Sequence, residues 1–280
     1  MQYPPDPEYE EAAVVLAVGL SVVFLWAIFR YFYMGRSAIA DFFKKVVPLS
    51  NQEKLFLTTF ILPYNNFSPV QKERFLKRLQ WLKSKKSFVF YGDVVNPEEI
   101  KLSVCAAICL LTFGFNRFQL SRSVARIVVY PTKYYSKIKR RHHFGEYNPK
   151  LKTLVFSEDT LKEGFKIPND NNNLALHEIA HALCFETKGS NTWQSKKFQV
   201  GLRTLSKMLQ NADVRQNLMK DNYFREYGFS DIFEFFAVLT ESYIETPNEL
   251  NIRYPELYKI VRVMYNVDFQ DPSWKLDLEN

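Results

Sequence analysis

The chain has 280 residues, 47% hydrophobic and 16% aromatic, with 37 Lys and Arg against 30 Asp and Glu. That apolar content can bury a sizeable core, which excludes a disordered or low-complexity chain, and the length suits one large domain or two small ones. The net +7 is unevenly spread, because the first eleven residues hold four carboxylates and no Lys or Arg, leaving +11 on the remainder.

The boundary between the two is the stretch AAVVLAVGLSVVFLWAIF at residues 12–29, free of charge and proline. As a helix it reaches roughly 27 Å at about 1.5 Å per residue, close to the hydrocarbon thickness of a bilayer. Trp26, Tyr31 and Tyr33 fall where an interfacial aromatic belt lies. We therefore expect a transmembrane helix over 12–33, preceded by a short extracytoplasmic tip over 1–11 and followed by a connector over 34–47. A buried helix of a soluble protein is one alternative. A cleaved signal peptide is the other, since Ala38-Ile39-Ala40 resembles a small-residue cleavage site. Against cleavage, the leading residues are acidic, and Arg30, Arg36, Lys44 and Lys45 follow the apolar run. Basic residues downstream favour the cytoplasmic side. The expected location is the inner, cytoplasmic membrane, single-pass, with the bulk of the chain in the cytoplasm. Cys105, Cys109 and Cys184 are odd in number and sit among apolar neighbours, so reduced core thiols are expected.

Residues 48–280 contain no repeat, Gly/Ser/Pro linker or long charge block and read as a single domain. Ser68-Pro69 supplies an N-cap and a first-turn proline for an amphipathic helix through about Ser84, with Phe75, Leu79 and Leu82 on one face. Asn96-Pro97 opens a second helix through Phe113. The fourteen uncharged residues from Leu102 to Phe115 are too short to span a bilayer and mark this helix as the buried centre of a bundle. RIVVY at 126–130 and TLVF at 153–156 read as strands. Helices follow at about 171–187, 195–209 and 230–246, with another near 254–265. The class is α+β, mainly helical.

Within the first of these late helices stands His177-Glu178-Ile179-Ala180-His181, an H-E-x-x-H pattern. Residues four apart share a helix face, so both imidazoles can aim at one zinc ion, while the intervening glutamate can reach a water beside it. Flanking Leu174, Leu176, Ile179, Ala182 and Leu183 bury the helix, where unliganded imidazoles would each cost about 1–3 kcal/mol. A catalytic zinc takes three protein ligands. No further histidine follows at metzincin spacing, which leaves Glu186, Glu226, Glu234, Glu241 and Glu245 as candidates for the third. Glu186 points away from His181 on the same helix. Glu234 and Glu241 are seven apart on a face otherwise lined by Ala237 and Val238, where two carboxylates imply a cation.

Tyr227-Gly228 followed by Glu234-Phe235-Phe236-Ala237 resembles the downstream element of the Mlc titration factor A family of zinc peptidases, whose metal-site plan is similar to that of the anthrax lethal factor protease domain. Further segments match in order: ILPYNNFSPVQKERFLKRLQWL, IVVYP, GEY at 145–147, LVFS at 154–157 and EFFAVLTESYIETP. The resemblance implies a zincin-like metallopeptidase domain over 48–280, with one Zn2+ held by His177, His181 and Glu234. It implies Glu178 as the general base, Tyr227 as the phenol that stabilises the oxyanion, and Glu241 as a residue holding a ligand histidine, with structural ion pairing as the alternative for Glu241.

On these grounds the expected activity is peptide-bond hydrolysis of a peptide or protein substrate by a zinc-activated water. Val155, Phe156 and Ser157 are expected on an edge strand that pairs with extended substrate, an ordinary buried strand being the alternative. A competing reading is a metal-containing protein that sequesters a transcriptional regulator, which the resemblance allows. The pI near 9.1 and the basic run at residues 137–143 raise nucleic acid as a third partner. Nothing beside that run resembles a recognition helix or stacking platform, so the charge is assigned to an anionic membrane surface and no nucleic-acid partner is expected.

Overall fold

The structure, a computed structural model, describes residues 11–26, 28, 45–136 and 140–271. It divides into two compact units at residue 45. In the first, residues 11–26 form helix α1, whose side chains are exposed. Among the described residues no helix is long and apolar enough to cross a membrane. The span expected over 12–33 is described only in part; Tyr31, Tyr33 and residues 38–40 lie outside the described residues.

The second unit opens with α2 (Asn51–Phe60), α3 (Leu62–Asn65) and α4 (Pro69–Lys85). Strand β1 (Phe88–Phe90), helix α5 (Pro97–Leu111) and strand β2 (Arg126–Tyr130) follow. Next come the hairpin β3 (Tyr134–Ser136) and β4 (Arg141–His143), then β5 (Gly145–Asn148) and β6 (Thr153–Ser157). The rest is helical: α6 (Glu158–Lys166), α7 (Leu174–Thr187), α8 (Trp193–Gln210), α9 (Ala212–Lys220), a 3-10 turn (Glu226–Ser230), α10 (Ile232–Glu245), α11 (Pro247–Arg253) and α12 (Pro255–Tyr265). The mainly helical α+β class is as expected.

Local chemistry explains the boundaries that matter. Ser68 and Gln71 form a reciprocal capping box at the start of α4, with Pro69 in its first turn. Phe75, Leu79 and Leu82 are fully buried on its inner face. That face lies on α5, whose residues from Leu102 to Leu111 are all buried, so α5 is the central helix. Arg78, buried with them, donates to the carbonyls of Thr112 (2.9 Å), Phe113 (3.0 Å) and Phe115 (2.7 Å). One guanidinium thus pairs the acceptors that the end of α5 exposes, and the helix stops at Leu111. The three cysteines are free and buried, and burial pushes the Cys105 thiol up to about 12.

Four strands form one sheet in the order β1-β2-β6-β5. β1, β2 and β6 run parallel, and β5 joins β6 antiparallel with Glu146 opposite Val155. This corrects the expected edge strand. β6 is paired on both sides, and Phe156 and Ser157 are fully buried, so no backbone at 155–157 is open to a peptide. Among the described residues the edge strand beside it is β5. The basic run ends in the β3–β4 hairpin, where Arg141 Nε donates to His143 Nε2 (3.1 Å); Lys137, Ile138 and Lys139 lie outside the described residues.

Helix α7 packs across β5 and β6 on one side and against α10 on the other. At the end of α10, Glu245 Oε2 is buried with no hydrogen-bond partner. Burial, with the nearby charges of Glu241 and Asp170, outweighs a hydrogen bond to Asn173 and pushes its carboxyl from 4.5 up to about 8. In the window between those values the folded chain keeps a proton that the unfolded chain releases, so this group makes stability fall as pH rises. Glu245→Gln is expected to remove that slope and to raise the melting temperature at pH 8 by roughly 2–6 °C, with little change at pH 4. Thermal melts of both proteins across pH 4–8 test it.

Candidate metal centre

Asn173 caps α7, its side chain accepting from the N–H groups of Ala175 (3.1 Å) and Leu176 (3.3 Å) and donating to Gly164 O (2.9 Å). This fixes the first turn, on which His177 and Glu178 stand, 6% and 8% exposed. His181, one turn on, faces the same way. Its Nε2 lies 3.2 Å from His177 Nε2, the rings meeting edge to face.

Opposite them, Asp231 caps α10 by accepting from Phe233 N (2.7 Å) and Glu234 N (3.0 Å), which sets Glu234 in the first turn. Glu234 Oε2 lies 3.0 Å from His177 Nε2 and 3.4 Å from His181 Nε2. The 3-10 turn brings Tyr227, whose hydroxyl donates to Glu234 Oε2 and lies 3.2 Å from His177 Nε2. Tyr227 is half exposed, so the cluster opens to solvent on its side. The structure thus brings His177, His181, Glu234 and Tyr227 to one point.

Glu241, two turns along α10 and 1% exposed, reaches the other nitrogen of His177, with Oε2 3.3 Å from Nδ1. The same oxygen accepts from Arg225, while Oε1 accepts from Asn173 N (2.8 Å). Arg225 also donates to Asn172. Burial works against the His177 imidazolium, but the Glu234 and Glu241 carboxylates more than compensate and raise its pKa to about 10. Burial likewise opposes ionisation of Glu234, and the two imidazoles overcome it, holding that carboxyl well below the usual carboxylate range.

His177, His181 and Glu234 offer three donor atoms within 4.8 Å of one another, a set that can hold a metal ion. The donors fit zinc in kind and in spacing. Ligands at about 2.0–2.1 Å around a tetrahedral ion stand roughly 3.3 Å apart, and the three separations here are 3.0, 3.2 and 3.4 Å.

The other sequence candidates are placed elsewhere. Glu186 Oε2 accepts from Arg122 N (3.0 Å), Ser123 N (2.8 Å) and Ser123 Oγ (2.9 Å), anchoring a loop at the far end of α7. Glu226 is exposed, and Val155, Phe156 and Ser157 belong to the interior strand. Sequence reasoning missed Arg225, which has no patterned neighbour, and the α7 cap Asn173, which an Asn before an apolar run could have signalled. It also missed Tyr134, whose buried hydroxyl lacks a hydrogen-bond partner. Burial, then the charges of Glu146 and Glu178, push that phenol far up.

Comparison with known proteins gives a family for the chain. An uncharacterized protein, slr2042, of Synechocystis sp. is 25% identical over 224 residues, covering 72% of this chain and 78% of the relative. The model of the family described as glucose-regulated metallo-peptidase M90 matches residues 43–266, which include every side chain of the His177–Glu234 cluster. The chain belongs to that metallopeptidase family.

Proposed function

We propose that the protein is a zinc-dependent peptidase anchored to the inner membrane by its N-terminal segment, with the peptidase unit in the cytoplasm. The observation that carries the enzymatic part is the convergence of two imidazoles and one carboxylate at zinc-ligand spacing, with Glu178 beside them on α7. His177, His181 and Glu234 would hold the ion, which supplies Lewis acidity to polarise a peptide carbonyl and to acidify water.

The protein's own groups do the rest. Glu241 holds His177 by Nδ1, leaving Nε2 as the donor. Glu178 follows His177, so its carboxylate stands about 100° around the helix from the ligand nitrogens and is free to act as base. It takes the proton of the attacking water and passes it to the leaving amine. Tyr227 turns its hydroxyl from Glu234 to the developing oxyanion. The outer edge of β5, unpaired among the described residues, is where an extended substrate backbone adds as a further strand.

Glu178→Gln is expected to bind one zinc as the wild type does and to lose hydrolysis of small peptide or aminoacyl reporters by about 10²–10⁴. Retained turnover would remove Glu178 from the mechanism. Glu241→Gln keeps the shape and loses the charge behind His177; zinc affinity is expected to fall about 10–100-fold in competition with a chelator. An unchanged affinity would reduce Glu241 to a structural ion pair with Arg225.

The anchor is supported by the uncharged stretch at 12–29 and by Val15, Leu16 and Phe24, at least 66% exposed on α1. The full chain is expected to stay with membranes through alkaline carbonate washing, and the chain lacking residues 1–45 to be released by that wash. Release of the full chain by carbonate alone would contradict a spanning anchor.

A further inference from the structure

We propose that the face formed by the first turn of α8 and the adjoining side of α12 docks on a membrane surface rich in anionic phospholipid, with a headgroup phosphate held in the cleft beside Trp193. The residues concerned all belong to the unit beginning at Val46, so the inference does not rest on the N-terminal anchor.

A cleft of about 510 Å³ opens at the start of α8, with Arg117, Arg122 and Lys197 in its lining. Among the described residues none of the three forms an ion pair, and Lys197 instead lies 5.3 Å from the centre of the Trp193 ring. One carboxylate, Glu186, shares the lining, and its Oε2 is taken up by Arg122 N, Ser123 N and Ser123 Oγ. It therefore holds the wall together without pairing the cations. At the head of α8 the Thr192 side chain accepts from Ser195 N, which leaves the first-turn N–H groups of Trp193 and Gln194 uncapped. Cationic side chains and free helix amides around one cavity are a site for a phosphate or similar anion.

The cleft does not end there. Trp193 and Lys197 also line a second groove of about 450 Å³, between α8 and α12, with Val200, Ile260 and Val263 in its wall. Trp193, Val200 and Val263 are 58%, 53% and 51% exposed, three large apolar side chains in one patch. Lys196 and Lys259 stand at its margin, the latter paired with Glu256 at 3.0 Å. A free phosphate would account for the cleft and leave the groove unexplained. An apolar peptide would fill the groove and leave Arg117 and Arg122 uncompensated. An anionic phospholipid surface satisfies both, with tryptophan at headgroup depth, aliphatic side chains below it and basic residues against the phosphates.

The test uses the full chain with one added cysteine, Val200→Cys, labelled with an environment-sensitive nitrobenzoxadiazole dye; the three native thiols are buried. Vesicles of equimolar phosphatidylcholine and phosphatidylglycerol are expected to shift the emission to the blue and brighten it several-fold, and pure phosphatidylcholine to do so far less. Arg117→Gln with Arg122→Gln is expected to weaken the response at least about fivefold. A label at Val70→Cys on α4 should not respond. Three results overturn the proposal. A silent Val200 label on vesicles that carry the chain in flotation would leave this face in water while the anchor stands. An equal response on both lipids would mean immersion without headgroup recognition. The same response to inorganic phosphate or glycerophosphate alone would assign the cleft to a soluble ligand. Peptidase activity, read separately, reports the metal centre whichever result is obtained.

Discussion

A single carboxylate, Glu241, fixes the relation of the two helices that make the candidate metal centre. At 1% exposure its charge would cost several kcal/mol if left alone, and its partners come from three places in the chain. Asn173 N is the start of α7, His177 Nδ1 is its first turn, and Arg225 belongs to the segment leading into the 3-10 turn. Rotating α7 on α10 would break at least two of these contacts at once and strand a buried charge. The rotation that keeps them is the one that aims His177 Nε2 at Glu234 and His181, so the centre's geometry follows from where Glu241 can be satisfied.

The same logic explains why α10 tolerates acidic residues on a buried face. Glu234 and Glu241 flank His177 on its two ring nitrogens, and the three stabilise one another electrostatically, raising the imidazole's pKa to about 10. The cluster is arranged for positive charge between carboxylates. A proton on His177 meets that demand in the protein alone; a metal ion at Nε2 would compete with it, and its uptake would then release a proton. Tyr227 adds its donor to Glu234 from the exposed side, where a ligand can replace it. Elsewhere α7 and α10 are lined by Leu176, Ile179, Leu183, Phe235, Val238 and Leu239, all buried, which supply the rigid packing that holds these polar groups in place.

Much of this was legible in local sequence, and the rest depended on pairing at a distance. α4, α7, α8, α10 and α12 could be read because caps and apolar periodicity are local signals; Asp231 before Ile232 and Ser68 before Pro69 are of that kind. α2 escaped notice although Ser50 and Glu53 form a capping box, because its inward side buries one leucine, Leu57, and leaves little apolar pattern. β3 and β4 are only three residues each, YYS and RHH, too short to show an alternating pattern, and their order comes from hairpin pairing and from Tyr134 stacking on Tyr130. The H-E-x-x-H residues stand out by spacing alone. Glu234 and Glu241 are marked by carboxylates on an apolar face, but Arg225 is one basic residue among many until the fold places it against Glu241.

The strand order is the clearest case of information that no single segment holds. TLVF at 153–156 is more apolar than GEYN at 145–148, and an apolar strand is the natural choice for a recognition surface when strands are judged one at a time. Position in the sheet reverses that choice. Apolar residues on both faces suit the interior position that β6 occupies between β2 and β5. GEYN carries Gly145, where an added Cβ would lie 2.8 Å from Leu174, and so lets the edge strand approach the head of α7 closely. It also carries Glu146, whose Oε2 is buried without a partner, on the strand nearest the metal helix. A short edge strand whose outer backbone is unpaired among the described residues, and which buries a carboxylate oxygen without a partner, is disfavoured as a purely structural element. It is suited to a wall that a polar, extended chain completes.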